Sequence, residues 1–114
     1  MNLLVVDDEA SLLQLLGQYL TRQGHTVEPS ATVAGVRALM AHSFDVAVID
    51  WILPDGSGLD LGRELLDHDP TIRVVFTSGY PLDASDVPEG LRDRVRVLQK
   101  PFLPRALAEI LNNL

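Results

Sequence analysis

Val46-Ala47-Val48-Ile49-Asp50 is a run of four apolar residues, three of them β-branched, that closes on a carboxylate. The run does not alternate with polar residues, so it reads as a strand buried on both faces, as in a parallel sheet covered by helices on each side. Leu3-Leu4-Val5-Val6 has the same character and closes on Asp7-Asp8. If the two runs are neighbouring parallel strands, their ends share one edge of the sheet and three carboxylates meet there. A cation or a bound proton must then offset their repulsion.

Working outward, five segments read as strands: Leu3 to Val6, Thr26 to Glu28, Asp45 to Ile49, Ile72 to Phe76 and Val95 to Leu98. Helical patterns fall between and after them. Leu12, Leu15, Leu16, Tyr19 and Leu20 recur at helical spacing and stop at Gly24, the expected C-cap. Val33, Val36 and Met40 make a weaker second stripe, and Leu59, Gly62, Leu65 and Leu66 a third that ends before Pro70. Leu103, Ala106, Leu107, Ile110, Leu111 and Leu114 form the last. Between Thr77 and Val95 a further helix is due, but Gly79, Pro81, Pro88 and Gly90 interrupt it. A short turn around Val87 to Arg92 is expected there, in the least regular and most mobile part of the chain. Alternating strands and helices predict a doubly wound α/β fold with right-handed crossovers and a ligand crevice beyond the carboxyl ends of the strands.

The bulk properties narrow the function. With 114 residues the chain is expected to be one domain over 1–114. It lacks cysteine, which removes disulfides, thiolate nucleophiles and thiolate metal sites together, so any metal here is hard and oxygen-ligated. A net charge of −7 with scattered basic residues argues against direct binding of nucleic acid. No apolar stretch approaches the roughly 20 residues of a membrane span, and no secretory leader is recognisable, so no membrane insertion and a cytoplasmic location are expected. His25, His42 and His68 lack ligand spacing and read as surface or loop residues.

What ends each strand is more telling. The first closes on Asp7 and Asp8, the third on Asp50, the fourth on Thr77 and Ser78, and the fifth on Lys100. In a parallel sheet one crevice would hold all of them. Carboxylates ligate Mg²⁺, a metal neutralises phosphoryl oxygens, an ammonium and a hydroxyl complete an electrostatic cradle, and a carboxylate can itself be the nucleophile. Each residue also has a bland role: Asp8 could N-cap the first helix, Asp50 could cap a loop, and Lys100 could be a solvated charge before Pro101. Only the set is specific.

The runs Leu4-Val5-Val6-Asp7-Asp8-Glu9, Ile49-Asp50-Trp51-Ile52-Leu53-Pro54-Asp55-Gly56-Ser57-Gly58, Thr77-Ser78-Gly79 and Lys100-Pro101-Phe102 resemble, in order and spacing, the receiver domains of two-component response regulators. The resemblance spans essentially the whole chain. It implies a flavodoxin-like five-stranded parallel sheet of order 2-1-3-4-5, one of the doubly wound class, here with a short or irregular fourth helix. It further implies that Asp50 is the phosphoacceptor, charged from a sensor histidine kinase or a histidine phosphotransfer protein, and that a downstream protein partner reads the result. Asp8 and Asp50 would ligate Mg²⁺ with the backbone carbonyl of Ile52, and Asp7 would do so directly or through water. Thr77 would bond a phosphoryl oxygen, Lys100 would pair with the phosphoryl group, Gly79 would leave access, and the Lys100–Pro101 peptide would be cis.

One position departs from the family. Receivers commonly carry Tyr or Phe three residues before the site Lys, where Val97 stands here, so the usual aromatic swing cannot operate. Competing readings are a phosphorylation-independent interaction domain of the same fold and an aspartate-nucleophile phosphatase. The second needs an acid two residues after the nucleophile, where this chain has Ile52. A flavin-binding flavodoxin is disfavoured because acids follow the first strand where a phosphate needs donors. As a receiver the chain would be no turnover enzyme, only a group that phosphorylates itself from donors and slowly loses the phosphate.

Overall fold

In the computed structural model, which describes residues 1–114, the two apolar runs are strands β1 (Asn2–Val6) and β3 (Val46–Asp50), paired in parallel from Leu3↔Val46 to Val6↔Ile49. Helix α1 (Ala10–Arg22) leads to β2 (Thr26–Ser30), and α2 (Val33–Ala38) leads back to β3. A short antiparallel pair, β4 (Ile52–Leu53) with β5 (Gly56–Ser57), precedes α3 (Gly58–His68). The chain ends through β6 (Arg73–Ser78), β7 (Val95–Gln99) and α4 (Pro104–Asn112). The main sheet has the order β2-β1-β3-β6-β7, all parallel, which is the expected 2-1-3-4-5 arrangement.

The unbroken apolar runs follow from this layering. Leu4, Val6, Ala47, Ile49, Val74 and Phe76 point to the side covered by α3, where Leu61, Leu65 and Leu66 meet them. Leu3, Val5, Val46, Val48 and Val75 point to the other side, onto Leu16 and Leu20 of α1 and Leu107 and Leu111 of α4. Strand residues alternate faces, but both faces are core, so polar residues have no place until the strand ends. Each such aliphatic side chain contributes roughly 1.5–3 kcal/mol when fully buried.

Boundaries moved where a neighbour could compensate. The second strand runs on to Ser30 through Pro29, which an edge strand tolerates because it has a partner on one side only. Gln23 caps α1, and Gly24 lies one residue beyond it at φ +94, a left-handed position that favours glycine. The small β4–β5 pair escaped the periodicity because two-residue strands carry no pattern.

The stretch after β6 holds no α-helix. Two 3-10 turns, Ala84–Asp86 and Glu89–Arg94, replace it, the second lying two residues further along than the expected Val87 to Arg92. The Asp83 carboxylate caps the first turn by accepting the Ser85 N–H, and the Asp83 N–H in return donates to the Asp86 carboxylate. Arg94 ties the second turn to the body of the domain. Its guanidinium donates to the carbonyls of Leu66 (3.1 Å), Asp69 (2.5 Å) and Ile72 (3.1 Å), satisfying groups left open at the end of α3 and in the turn that leads to β6. No helix is long and apolar enough to cross a membrane.

Candidate functional site

Parallel packing brings the predicted strand ends together. Asp7 follows β1, its amide held by the carbonyl of Ser30 at 3.0 Å, and its side-chain Oδ1 accepts the N–H of Glu9 at 2.9 Å. Asp50 ends β3 in register with Thr77 of β6. Carboxylate oxygens of Asp7, Asp8 and Asp50 lie within 4.8 Å of one another. Lys100 enters this group from the end of β7: its Nζ is 2.7 Å from Asp7 Oδ2 and 3.1 Å from Asp50 Oδ2. The amide of Lys100 donates to the Ser78 carbonyl at 2.7 Å, which fixes where the side chain starts, and the Lys100–Pro101 peptide is cis.

Two of the bland roles do not hold, those of Asp8 and Lys100, while the Asp50 carboxylate does accept a backbone bond from Ile52 in the loop that follows it. The residue flanking α1 is Glu9, without a side-chain cap bond, so Asp8 is not spent on capping and stays exposed beside the other two acids. Lys100 is only 20% exposed in its side chain and is paired rather than solvated. Asp50 is nearly buried, as are Asp7, Thr77 and Ser78.

The electrostatics follow from that burial. Loss of solvent pushes the Asp50 carboxyl above its ordinary value, and the charge of Asp7 adds to the rise, against the hydrogen bond and charge of Lys100. Burial also opposes the charged form of Lys100, yet hydrogen bonds and charge from Asp7 and Asp50 outweigh it and hold the ammonium above its usual range. One ammonium facing three carboxylates leaves a net negative pocket made only of oxygen donors. Such a set fits a hard divalent cation such as Mg²⁺.

A stability prediction arises here. Asp50 has a raised carboxyl, so the folded state holds its proton more tightly than the unfolded chain does. Its unfavourable share is therefore absent below the ordinary carboxylate value and grows as pH rises through the folded one. Asp50→Asn removes that share and leaves Lys100 paired with Asp7. The metal-free variant should be more stable than wild type by about 1–2 kcal/mol near pH 7.5, the scale of Coulomb repulsion at this spacing, with the gain fading towards about pH 4. Urea unfolding across that range measures it, and a pH-independent gain would refute the electrostatic cause.

Thr77 and Ile52 sit where the sequence places them, with different surroundings. The Thr77 carbonyl accepts the Trp51 amide at 2.8 Å, locking the start of the loop after Asp50 onto β6. Ile52 lies on β4 with its side chain 56% exposed. Trp51 packs edge-on to Phe76, ring centres 5.2 Å apart, at the margin of the α3-side core. Val97 is half-buried against the α3-side core, on β7 and opposite Phe76 in register. Gly79 has open space around its α-carbon, in keeping with an accessible site.

Three contacts that shape the site were not foreseen from the sequence. Ser78 holds the Lys100 backbone, Asp55 reaches from the loop after Asp50 to the start of α2, and Gly58 lets α3 approach the Asp50 backbone.

The sequence model of the response regulator receiver domain matches residues 3–112. The transcriptional regulatory protein CssR of Bacillus subtilis is 32% identical over 103 residues, covering 90% of this chain and 46% of that protein. The chain thus spans about half the length of the curated relatives it matches. Among solved structures, a CheY-like receiver domain protein from Methanospirillum hungatei superposes with a TM-score of 0.87 at 27% identity, covering 98% of this chain and 90% of that one. A response regulator from Burkholderia pseudomallei, with a phosphorylated aspartic acid, calcium ion and citrate, gives 0.82 at 26% identity, covering 98% and 71%.

Proposed function

This chain belongs to the response regulator receiver domain family, and from that premise we propose that it is a phosphorylation-dependent switch with Asp50 as the phosphoacceptor. The donor is a phosphohistidine on a sensor histidine kinase or a histidine phosphotransfer protein. A carboxylate oxygen of Asp50 forms the new P–O bond as the donor's P–N bond breaks, and the electron pair returns to the imidazole nitrogen. The product is an acyl phosphate on Asp50. The supporting observation is the cluster itself: a nearly buried carboxylate at a strand end, bonded at 3.1 Å to an ammonium and crowded by two further acids.

Asp7, Asp8 and Asp50, with the carbonyl of Ile52, would hold Mg²⁺, which supplies positive charge to the phosphoryl oxygens. Lys100 pairs with a phosphoryl oxygen once the acceptor is modified, because its two carboxylate partners then compete with a more highly charged neighbour. Thr77, buried and in register with Asp50, donates its hydroxyl to another. Movement of Thr77 is passed along β6 to the 3-10 turns that follow it, and a downstream protein partner reads that surface. With Val97 half-buried on β7, no aromatic ring swings there, so the change stays with the backbone of the crossover.

Incubation with acetyl phosphate and Mg²⁺, followed by borohydride reduction and peptide mass spectrometry, tests the assignment. The expected label is on Asp50 alone and depends on Mg²⁺. A label on another residue, or one that forms equally in EDTA, would overturn it.

A further inference from the structure

Ile52 is the one member of the proposed metal site that would contribute through its backbone. Its side chain is more than half exposed, so packing does not hold its backbone in place. What fixes it is a backbone bond to the Asp50 carboxylate and the β4–β5 hairpin around it. The base of that hairpin is tied down by Trp51 N–H to the Thr77 carbonyl (2.8 Å) and Gly58 N–H to the Trp51 carbonyl (2.9 Å), and buried Leu53 sits one residue on.

The tip is held by Asp55. Its Oδ1 accepts the N–H of Val33 at 2.8 Å and its Oδ2 accepts the N–H of Ala34 at 3.1 Å, so one carboxylate spans the first two residues of α2. Gly56 beside it packs against Val33, close enough that a Cβ there would lie 3.1 Å from Val33 Cγ2. Those two N–H groups hold the Asp55 carboxyl below its ordinary value even though it is exposed. Helix α2 already has a cap of its own, since the Thr32 hydroxyl accepts from Gly35 at 3.0 Å. A second acceptor from a distant loop does more for the loop than for the helix.

We infer that Asp55 is a positioning residue of the metal site, clamping the tip of the hairpin to α2 so that the Ile52 carbonyl stays in place beside the carboxylates, a role that rests on Asp7, Asp8 and Asp50 holding Mg²⁺. Asp55 touches neither metal nor phosphoryl group and acts through the backbone of residues 52–55.

Divalent-metal affinity, read without any phosphoryl transfer, separates this role from plain helix capping. Free Mn²⁺ counted by electron paramagnetic resonance, and Trp51 fluorescence during Mg²⁺ addition, are compared in wild type, Asp55→Ala, Asp55→Asn and Thr32→Ala. Asp55→Ala should weaken metal binding roughly tenfold, the lower end of the range for residues that orient ligands. Asp55→Asn, whose amide oxygen still accepts one N–H, should recover most of it. Thr32→Ala removes the other α2 cap and should lower thermal stability while binding metal within about twofold of wild type. Wild-type affinity in Asp55→Ala, or an equal loss in Thr32→Ala, overturns the inference alone. A wild type that binds neither ion overturns the metal site and the inference together.

Discussion

Replacing Lys100 with Met should slow phosphorylation of Asp50 from acetyl phosphate roughly 100- to 1,000-fold, the usual consequence of removing one preorganised charge from a group-transfer site. Met reaches about as far as the Lys stem and fills the same space, so the loss isolates charge from volume. The same change should destabilise the metal-free protein. Lys100 is the cation shared by Asp7, at 2.7 Å, and Asp50, at 3.1 Å. Removing one partner of a fully buried pair costs about 3–5 kcal/mol, and with the ammonium one-fifth exposed and a proton able to replace it, about 2 kcal/mol is expected. The raised value of Lys100 means its contribution is complete at all pH below the ordinary lysine range and is lost only as pH rises through the folded value. Across neutral pH, then, the variation comes from the carboxylates: the deficit of Lys100→Met should shrink towards acid pH, where a proton on Asp50 takes over from the ammonium. Phosphorylation at the wild-type rate together with that stability loss would leave Lys100 a structural counter-ion and remove it from the chemistry.

Strand content and order were legible because one physical rule governs them. A strand buried on both faces admits no polar residue until it ends, so Val46 to Asp50 and Leu3 to Asp8 announce both the strand and where the site begins. The carboxylates and Thr77 were legible for the same reason: they stand where an apolar run stops, whereas Lys100, after the mixed edge strand Val95–Gln99, was legible only by its place at a strand end. The breakers Pro81, Pro88 and Gly90 likewise foretold that no α-helix joins β6 to β7. What escaped was whatever depends on backbone meeting backbone. Arg94 looks like any surface arginine until the carbonyls of Leu66, Asp69 and Ile72 converge on it. Asp55 belongs to a Pro-Asp-Gly turn in sequence and to the start of α2 in space, 21 and 22 residues away along the chain. Pattern reports which residues are buried and leaves unspecified which main-chain groups are brought within bonding distance.

Gly58 makes the same point with the largest expected loss of stability. A Cβ at this position would lie 2.0 Å from the Asp50 carbonyl oxygen and 2.9 Å from both the Asp50 carbonyl carbon and the Trp51 Cα. These are backbone atoms of the strand end that carries Asp50, pinned by the Trp51 bond to β6 and by the Gly58 bond back to Trp51, so no side-chain rotation relieves the overlap. Gly58→Ala must push the start of α3 away from β3, opening the core at Leu61 and Leu65 and displacing Asp50 at once. Overpacking usually costs about 1–3 kcal/mol, and with only main chain to yield, about 3–4 kcal/mol is expected here, with metal affinity falling alongside. Gly17 supplies the control. It lies within α1 with nothing within 4 Å of its would-be Cβ, so Gly17→Ala should stabilise by about 0.5–1 kcal/mol through helix propensity alone. Gly62 falls between them, because the atom in the way, 2.5 Å off, is the far end of the Phe76 ring, which can tilt. Urea unfolding of the three alanine variants should therefore rank Gly17, Gly62 and Gly58 from gain to severe loss. A Gly58→Ala protein as stable as wild type would mean that α3 does not press on the acceptor strand as described, and with it would go the geometric basis for placing Asp50.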